Sequence, residues 1–193
     1  MQLEPRILEN RHVRLEPMGE AHKADLRAAC DADPRTWEEL YPYPMHGAHF
    51  DRGWARFYAE PPADRMNFAV MADGRCVGVS SFLRIDVPNA SLEIGGTYYR
   101  PEVRGGAVNP GSKRLLMAHA FESGARRVQY KVDAINARSR AAVLKLGAVQ
   151  EGILRQDMIT WTGRVRDSVV FSVVADEWPA VRDGLDARLA ALD

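Results

Sequence analysis

Alternation of apolar and polar residues marks most of the strands that this sequence predicts. In Arg11–Met18 and Arg127–Asp133, apolar residues alternate with charged or polar ones, the period expected of a strand with one buried face. Two longer apolar stretches contain a turn dipeptide, Asp-Gly or Thr-Gly, which favours a hairpin. The predicted strand segments are 11–18, the hairpin 66–85, 91–99, 127–133 and the hairpin 153–174.

Apolar residues at helical spacing predict helices at 19–30, 51–60, 112–122, 136–147 and 177–193. Asn136 and Gly147 suit the N-cap and the C-terminal stop of the fourth of these helices. The strand–helix–strand step from 91–99 to 127–133 implies a parallel crossover, whereas the flanking hairpins are antiparallel. We therefore expect one α+β domain over residues 1–193, with a mixed, mostly antiparallel sheet and helices on both faces.

Composition and charge narrow the classes of function. The 193 residues include 26 basic and 26 acidic side chains, so bulk charge does not indicate binding to nucleic acid or to a membrane surface. No apolar run approaches the roughly 20 residues of a membrane span. The two cysteines are far apart, which favours a reducing, cytoplasmic location. His46 and His49 lack the further ligands of a metal site, so we expect no metal.

The turn before the third helix, Arg104–Lys113, carries the clearest chemical signal. Its Asn109-Pro110 dipeptide is expected to start the helix, with Asn109 as the cap. Ahead of it, small residues allow backbone amides to converge on an anion beside the positive end of the helix dipole. The anion-binding residues that the turn predicts are Gly105, Gly106, Ala107, Val108, Asn109 and Ser112.

A diphosphate is the anion that this turn matches best. Arg104 and Lys113 are expected to add full positive charges at its rim. The alternative interpretation is a tight strand-to-helix turn with no ligand. The stretch is not a P-loop, because no Gly-Lys-Ser/Thr ends it, and it lacks the third glycine of the dinucleotide-binding fingerprint.

Four stretches extend this interpretation: SLEIGGTYYRPEVRGGAVN, SKRLLMAHAFE, RRVQYKVDAINARSRAAVLKLGAVQEGILR and GRVRDSVVFSVVADEWP. Together with RHVRLEPM they resemble the GNAT N-acetyltransferase family, and within it the RimJ/RimL-like N-terminal acetyltransferases. The resemblance implies the GNAT fold, with one splayed parallel strand pair, and transfer of an acetyl group from acetyl-CoA to an amine by direct attack. The family signature Arg/Gln-x-x-Gly-x-Gly/Ala falls on Arg104–Asn109, but Ala107 and Asn109 replace its first glycine and its last small residue.

The resemblance also implies how acetyl-CoA is held. The strand ahead of the turn pairs through its exposed backbone with the pantetheine arm, at the positions of Thr97, Tyr98 and Tyr99. Asn136 matches an asparagine that hydrogen-bonds pantetheine or the substrate in the family. The simpler interpretation is that Asn136 only caps the N-terminus of its helix.

Two further matches concern catalysis. Glu93 matches a carboxylate that some relatives carry on this strand, so it is the expected general base, directly or through water, with burial raising its pKa. A solvated or arginine-paired carboxylate is the alternative. Asp157 is the other carboxylate near the expected acceptor mouth, and Met158 stands where some relatives have a glutamate base. Ser139 matches a serine proposed to protonate the CoA sulfur, or is an ordinary residue of the first helical turn.

The expected acceptor is a protein N-terminal α-amine or a small amine, because an α-amine is partly neutral at physiological pH. Tyr41 and Tyr43 are expected to shape the choice of acceptor, unless they only cover the core. Arg164 and Arg166 are expected to stay solvated. A homodimer is a further expectation. Two rival functions are a non-catalytic acyl-CoA-binding module and an interaction protein that uses the fold alone.

Overall fold

The computed structural model describes residues 1–192, and within them eight strands form one sheet. Their order across the sheet is β1-β2-β3-β4-β5-β6-β8-β7. All neighbours are antiparallel except β5 and β6, so the predicted mixed sheet is confirmed. The strands are β1 (Leu8–Asn10), β2 (Val13–Pro17), β3 (Met66–Ala72), β4 (Arg75–Asp86), β5 (Ser91–Tyr99), β6 (Arg127–Asp133), β7 (Val149–Ile159) and β8 (Val165–Val174).

The parallel strands β5 and β6 stay together only at one end. They pair over Ser91–Glu93 and Arg127–Gln129, and beyond Glu93 the edge of β5 that faces β6 is unpaired. The register between β4 and β5 shifts between Val79 and Ser81, which is a bulge that bends β5 away. The two strands therefore diverge and leave free backbone in the middle of the sheet.

Six α-helices cover the two faces of the sheet in the described chain. One core lies under α4 to α6 and includes Leu116 and Phe171. A second core lies under α1 to α3 and includes Trp37 and Tyr98. The helices are α1 (Lys23–Asp31), α2 (Pro34–Leu40), α3 (Phe50–Trp54, continued by a π-helix over Ala55–Ala59), α4 (Val108–Glu122), α5 (Ala137–Leu144) and α6 (Trp178–Ala190).

The sequence pattern does not predict β1 or α2. β1 has only three residues, too few to show a period. α2 has seven residues and begins at a cap, where Asp33 Oδ1 accepts a hydrogen bond from the Thr36 amide at 3.2 Å and Pro34 takes the first helical position. Such short elements are fixed by their ends and by packing rather than by a hydrophobic repeat.

Helix α4 begins earlier than the sequence predicts. Its N-cap is Ala107 and its first residue is Val108, so the prediction that Asn109 caps the helix is wrong. No side chain caps α4, and Gly111 donates the first helical hydrogen bond, to the Ala107 carbonyl at 2.8 Å. Pro110 lies in the first turn, where its missing N–H costs nothing. The amides ahead of Gly111 are left without an internal acceptor.

Candidate active site at the divergent strand pair

A row of backbone amides without protein partners lies between β5 and α4. Residues 105–109 form this amide row, and none of their N–H groups donates a hydrogen bond to another residue of 1–192. The positive end of the α4 dipole points at the same place. Several N–H donors and a helix N-terminus together match an anion with many acceptor oxygens, such as a diphosphate.

The shape of the turn keeps the amide row open. Gly105 has φ +88°, a conformation that favours glycine, and a β-carbon on Gly105 or Gly106 would meet nothing within 4 Å. Ala107 has φ −74°, which any residue adopts. Alanine in place of the signature glycine therefore leaves its amide in the row without strain.

The structure corrects the expectation that Arg104 and Lys113 flank this turn with positive charge. Arg104 Nη1 bonds to Asp33 Oδ2 at 2.5 Å, and its Nε donates to the Tyr99 carbonyl at 2.7 Å. Its guanidinium also lies 5.2 Å from the centre of the Tyr98 ring. A carboxylate at the cap of α2 thus engages the Arg104 charge, which ties the turn to that helix.

Lys113 is buried between α4 and the sheet. Its Nζ donates to Thr97 Oγ1 at 2.6 Å and to Ser80 Oγ at 2.9 Å, and the two hydroxyls lie 2.8 Å apart. No carboxylate takes part in this triangle, and burial lowers the pKa of Lys113 to about 7. The position follows from helical periodicity, which turns residue 113 onto the inner face of α4. Lys113 thus supports the bulge of β5 from the side of the sheet that α4 covers.

Glu93, the expected general base, lies on β5 at the last residue that pairs with β6. Its side chain is buried, and Oε2 has no hydrogen-bond partner in the described chain. A β-carbon on Gly95 would lie only 2.8 Å from Glu93 Oε1. The carboxylate therefore extends along β5 toward the divergent part of the pair, over a residue that has no side chain.

The surroundings of Glu93 suit a group that takes up a proton. Burial raises the pKa of Glu93, and the charges of Arg84, Lys131 and Arg166 oppose that rise in part. The Arg84 contact is long, 3.6 Å from Nε to Oε2, and the Arg84 side chain is 62% exposed. A buried carboxylate with a raised pKa and a free oxygen accepts a proton more readily than a solvated carboxylate does.

The sequence pattern misses the cations on this face of the sheet. Arg166 is 7% exposed rather than solvated, and its Nε lies 3.7 Å from Asp133 Oδ2. Arg164 also contacts Asp133, at 2.5 Å, while its side chain stays 32% exposed, so the expectation of a solvated arginine is wrong for Arg166. Burial lowers the pKa of Arg166. The alternation in β6 predicts which face Lys131 and Asp133 occupy, but only the strand order β5-β6-β8 brings Arg166 beside Glu93.

Asp157 lies on the same polar face as one half of an ion pair. Its Oδ2 is 2.7 Å from Lys131 Nζ, and both side chains are largely buried. Burial is the largest single influence on the pKa of Asp157 and would raise it. The hydrogen bonds from Lys131 and Ser168 and the charges of Lys131 and Arg166 together outweigh burial, so the pKa is lowered. Asp157 therefore stays ionised and holds Lys131, which makes it a weaker base than Glu93.

Asn136 and Ser139 meet at the start of α5. Asn136 Oδ1 accepts a hydrogen bond from the Ser139 amide at 2.9 Å, so the predicted cap is present. The Nδ2 group of Asn136 has no partner within residues 1–192 and can still donate. The Ser139 hydroxyl is half-buried and likewise forms no hydrogen bond in the described chain.

The residues predicted on β5 present their backbone rather than their side chains. The Tyr98 hydroxyl donates to the Ala29 carbonyl at 2.8 Å, and its ring stacks on Trp37, so its side chain belongs to the core. The Tyr99 ring is buried on the opposite face. The Thr97 carbonyl accepts a hydrogen bond from Tyr41 and keeps a second lone pair. Any ligand of this segment would therefore pair with main-chain groups.

The two predicted acceptor residues differ in position. Tyr41 packs against Trp37, with ring centres 4.2 Å apart, and bonds to β5, so it supports the sheet. The Tyr43 hydroxyl lies 3.4 Å from the position that a β-carbon on Gly96 would occupy, and Gly96 has φ +56° at the bulge. Tyr43 thus lies directly above the point where β5 bends.

Two features are absent from the described residues. The described residues contain no group of three or more His, Cys, Asp or Glu side chains that could hold a metal ion. No helix within residues 1–192 combines the length and apolar character that a membrane crossing requires.

The chain matches a family model described as the acetyltransferase (GNAT) domain over residues 12–149. Among solved structures it is similar to a GCN5-related N-acetyltransferase from Brucella melitensis, with 33% identity and a TM-score of 0.86 over 98% of this chain and 87% of that one. No protein of curated function matches the chain.

More distant structures share the fold and carry ligands. Mycobacterium smegmatis RimJ in complex with CoA-disulfide is 21% identical, with a TM-score of 0.82 over 97% of both chains. The microcin C7 self-immunity acetyltransferase MccE, in complex with acetyl-CoA and AMP, is 19% identical, with a TM-score of 0.75 over 86% of this chain and 93% of that one.

Proposed function

Because the chain belongs to the GNAT family of N-acetyltransferases, whose members use acetyl-CoA, we propose that it acetylates a primary amine of the α-amino type, on a protein N-terminus or a small molecule. The observation that carries the proposal is the amide row at the end of an unpaired strand edge. Acetyl-CoA brings the matching groups: a diphosphate, an extended arm with amides, and an activated thioester.

Binding uses main-chain groups for the most part. The amide row and the α4 dipole hold the diphosphate. Ser112 takes no part, because it is fully buried and its hydroxyl donates to the Val108 carbonyl at 2.7 Å, so the expectation that it binds the anion is wrong. The free edge of β5 from Thr97 to Tyr99 pairs with the pantetheine arm as an added strand would. The free Nδ2 group of Asn136 donates to the arm from the other side of the gap.

Two side chains carry the proton transfers. The amine nitrogen forms a bond to the acetyl carbonyl carbon while the bond from that carbon to sulfur breaks. Glu93 accepts the proton that the amine loses, directly or through one water molecule, because its Oε2 is free and its pKa is raised. The Ser139 hydroxyl donates a proton to the departing thiolate and takes one from a solvent water in the same step, so that no alkoxide is left.

The type of amine follows from the modest strength of this base. An α-amine has a pKa of about 7.7–8.0, so roughly a third of it is neutral at pH 7.5, whereas a lysine amine with a pKa near 10.4 is neutral in only about one molecule in a thousand. Glu93 is the carboxylate with a raised pKa on this face, and Asp157 is held by Lys131. An acceptor that is already partly neutral suits such a site.

The test is release of free CoA thiol by the purified full-length chain with a panel of amines at pH 7.5. Dipeptides with a free α-amine are expected to react at least about tenfold faster than Nα-acetyl-lysine amide, which offers only its side-chain amine. Equal or faster reaction of the lysine amine would overturn the assignment of the acceptor. A thermal shift with acetyl-CoA, measured separately, reports binding without chemistry.

A further inference from the structure

A pocket of about 310 Å³ opens beside the bulge of β5. Its walls come from three separate parts of the chain: the loop after α2, the end of α3, and the turn between β7 and β8. We call it the aromatic pocket, because Tyr43, Phe57 and Trp161 line it. The volume is at the lower end for ligand pockets, so it suits one ring rather than a long peptide.

The aromatic pocket is held together by specific contacts. The Trp161 Nε1 group donates to the Trp37 carbonyl at 3.1 Å, and the Trp161 amide donates to the Pro42 carbonyl at 3.2 Å. The rings of Tyr43 and Phe57 lie 4.4 Å apart between centres. The walls are therefore formed before any ligand arrives, which lowers the cost of ordering them on binding.

The inner end of the pocket lies next to the bulge of β5, in the segment that we assign to the acetyl-CoA arm. Tyr43 lines the pocket, and its hydroxyl lies 3.4 Å from the position of a β-carbon on Gly96 at the bulge of β5, while Arg65 Nη2 lies 3.2 Å from the same position. An amine placed beneath Tyr43 would approach the segment of β5 that we assign to the acetyl-CoA arm. The body of the same molecule would then extend outward between the aromatic walls.

The outer end of the pocket is positively charged. Arg52 and Arg56 line it, and no carboxylate does. Neither arginine forms a salt bridge within residues 1–192, and Asp51, next to Arg52 in the sequence, is engaged by Arg27 at 2.5 Å. The Arg56 guanidinium lies over the Phe57 ring at 5.1 Å, so the aromatic wall and the positive charge adjoin.

The backbone that carries this end is unusual. Arg56 and Phe57 belong to the π-helix Ala55–Ala59, which follows directly on α3. Segments of π-helix are rare and are frequently found at functional sites, where the wider turn redirects side chains. This is an observation independent of the charges, and it also points to a binding role for the pocket.

We infer that the acceptor is a primary amine with an aromatic body and, on the far side of that body, an anionic group. The amine lies under Tyr43, the ring lies between Phe57 and Trp161, and Arg52 and Arg56 bind the anion. This inference rests on the proposed function for the position of the amine. The pocket itself can be tested without it.

Three small amines separate the contribution of the ring to substrate preference from that of the anion. Each probe carries an α-amine: the probe with all features is the α-amide of 4-carboxyphenylalanine (the benzoate), its neutral match is the α-amide of 4-carbamoylphenylalanine (the benzamide), and the α-amide of 2-aminoadipate keeps the anion without the ring. We expect kcat/KM for the benzoate to exceed that for the benzamide by about tenfold, the value of one charge-assisted hydrogen bond. The aminoadipate amide is expected to be poorer than the benzoate by a similar factor. Equal values for benzoate and benzamide would overturn the inference.

Variants tie the preference to the two arginines. In the double variant Arg52→Gln and Arg56→Gln, the ratio of kcat/KM for benzoate over benzamide is expected to fall from about ten to about one. The matched control is Arg75→Gln, an exposed arginine on the hairpin between β3 and β4, which should keep the ratio. A ratio that survives in the double variant contradicts the assignment.

A binding measurement distinguishes failure of the pocket from failure of the proposed function. The N-acetylated forms of the benzoate and the benzamide are titrated into the protein by calorimetry, with no acetyl transfer required. Tighter binding of the acetylated benzoate, lost in the double variant, supports the pocket even if no amine is acetylated. Equal binding of both compounds overturns the pocket even if other amines are good substrates.

Discussion

The carboxylate of Glu93 occupies the space that a side chain on Gly95 would need. A β-carbon at position 95 would lie 2.8 Å from Glu93 Oε1 and equally close to Leu83 Cδ1. Both residues point to the same face of β5, because successive residues of a strand alternate between faces. The missing side chain at 95 thus determines where the proposed base points.

Replacement of Gly95 by alanine tests this relationship. The methyl group should push the Glu93 carboxylate away from the gap, so we expect kcat to fall by about tenfold with little change in the KM for acetyl-CoA. Steady-state kinetics measure both values. Gly152→Ala is the control, since a β-carbon there meets nothing within 4 Å. An unchanged kcat in Gly95→Ala would argue against Glu93 as the base.

The variant Glu93→Gln tests the base itself. We expect kcat/KM to fall by about a hundredfold, and the loss of kcat toward low pH, set by the raised pKa of Glu93, to disappear at saturating amine, where the ionisation of the free amine no longer contributes. Rates from pH 5.5 to 9 measure both effects. A profile of kcat at saturating amine that keeps the same acidic limb in the variant would assign the proton transfer to another group.

Glu93→Gln is also expected to change the stability of the folded protein by an amount that depends on pH. Because folding raises the pKa of Glu93, its contribution to stability is full at pH values below the unfolded pKa and is lost as pH rises through the folded value. Glu93→Gln should therefore raise the melting temperature relative to the wild type at pH 8 more than at pH 4. Thermal unfolding at the two pH values decides the matter.

Ala107→Pro tests the amide row. The backbone φ of −74° suits proline, and the residue before it is a glycine, so the change should remove one N–H without disturbing α4. We expect the dissociation constant for CoA to rise by about tenfold, the value of one hydrogen bond to a charged group. Calorimetry measures it, and Ala107→Ser, which keeps the N–H, is the control. Unchanged affinity in Ala107→Pro would place the diphosphate elsewhere.

Lys113→Met should stabilise the protein near neutral pH. The pKa of Lys113 is lowered to about 7 in the folded state, so its contribution to stability is full above the unfolded pKa and is lost as pH falls through 7. The variant is expected to gain a few kcal/mol over the wild type at pH 7 and less at pH 10, with Ser80 and Thr97 still bonded to each other. Denaturant unfolding measures this, with exposed Lys145→Met as the control. A loss of stability at pH 7 would contradict the prediction.

Ser139→Ala tests the proposed acid. The substitution keeps the amide that Asn136 caps, so α5 should stay intact. We expect kcat to fall by about tenfold or more if Ser139 protonates the thiolate, with the largest effect at high pH, where few protons are available from solvent. Unchanged kcat across the pH range would leave that step to water.

The sequence predicts the strands and helices that carry a long hydrophobic repeat, and it also predicts the turns that connect them. The strands around Asp73-Gly74 and Thr162-Gly163 are such cases, because alternation and turn residues act locally. The family match rests on motifs of the same local kind. By contrast, α2 depends on the Asp33 cap, and the start of α4 lies one residue past Ala107 although Asn109 looks like the cap.

The sequence by itself determined the class of fold, the crossover between β5 and β6, and the positions of Glu93 and of the amide row, because each depends on neighbours within a few residues or on a single strand–helix–strand step. Only the tertiary structure decided where charges go: Arg104 turns to Asp33, Lys113 is buried under Thr97, and Arg166 lies beside Glu93. The aromatic pocket, too, joins loops far apart in the chain. Electrostatic partners are chosen by distance in space and by burial, and neither is written in the spacing of residues along the chain.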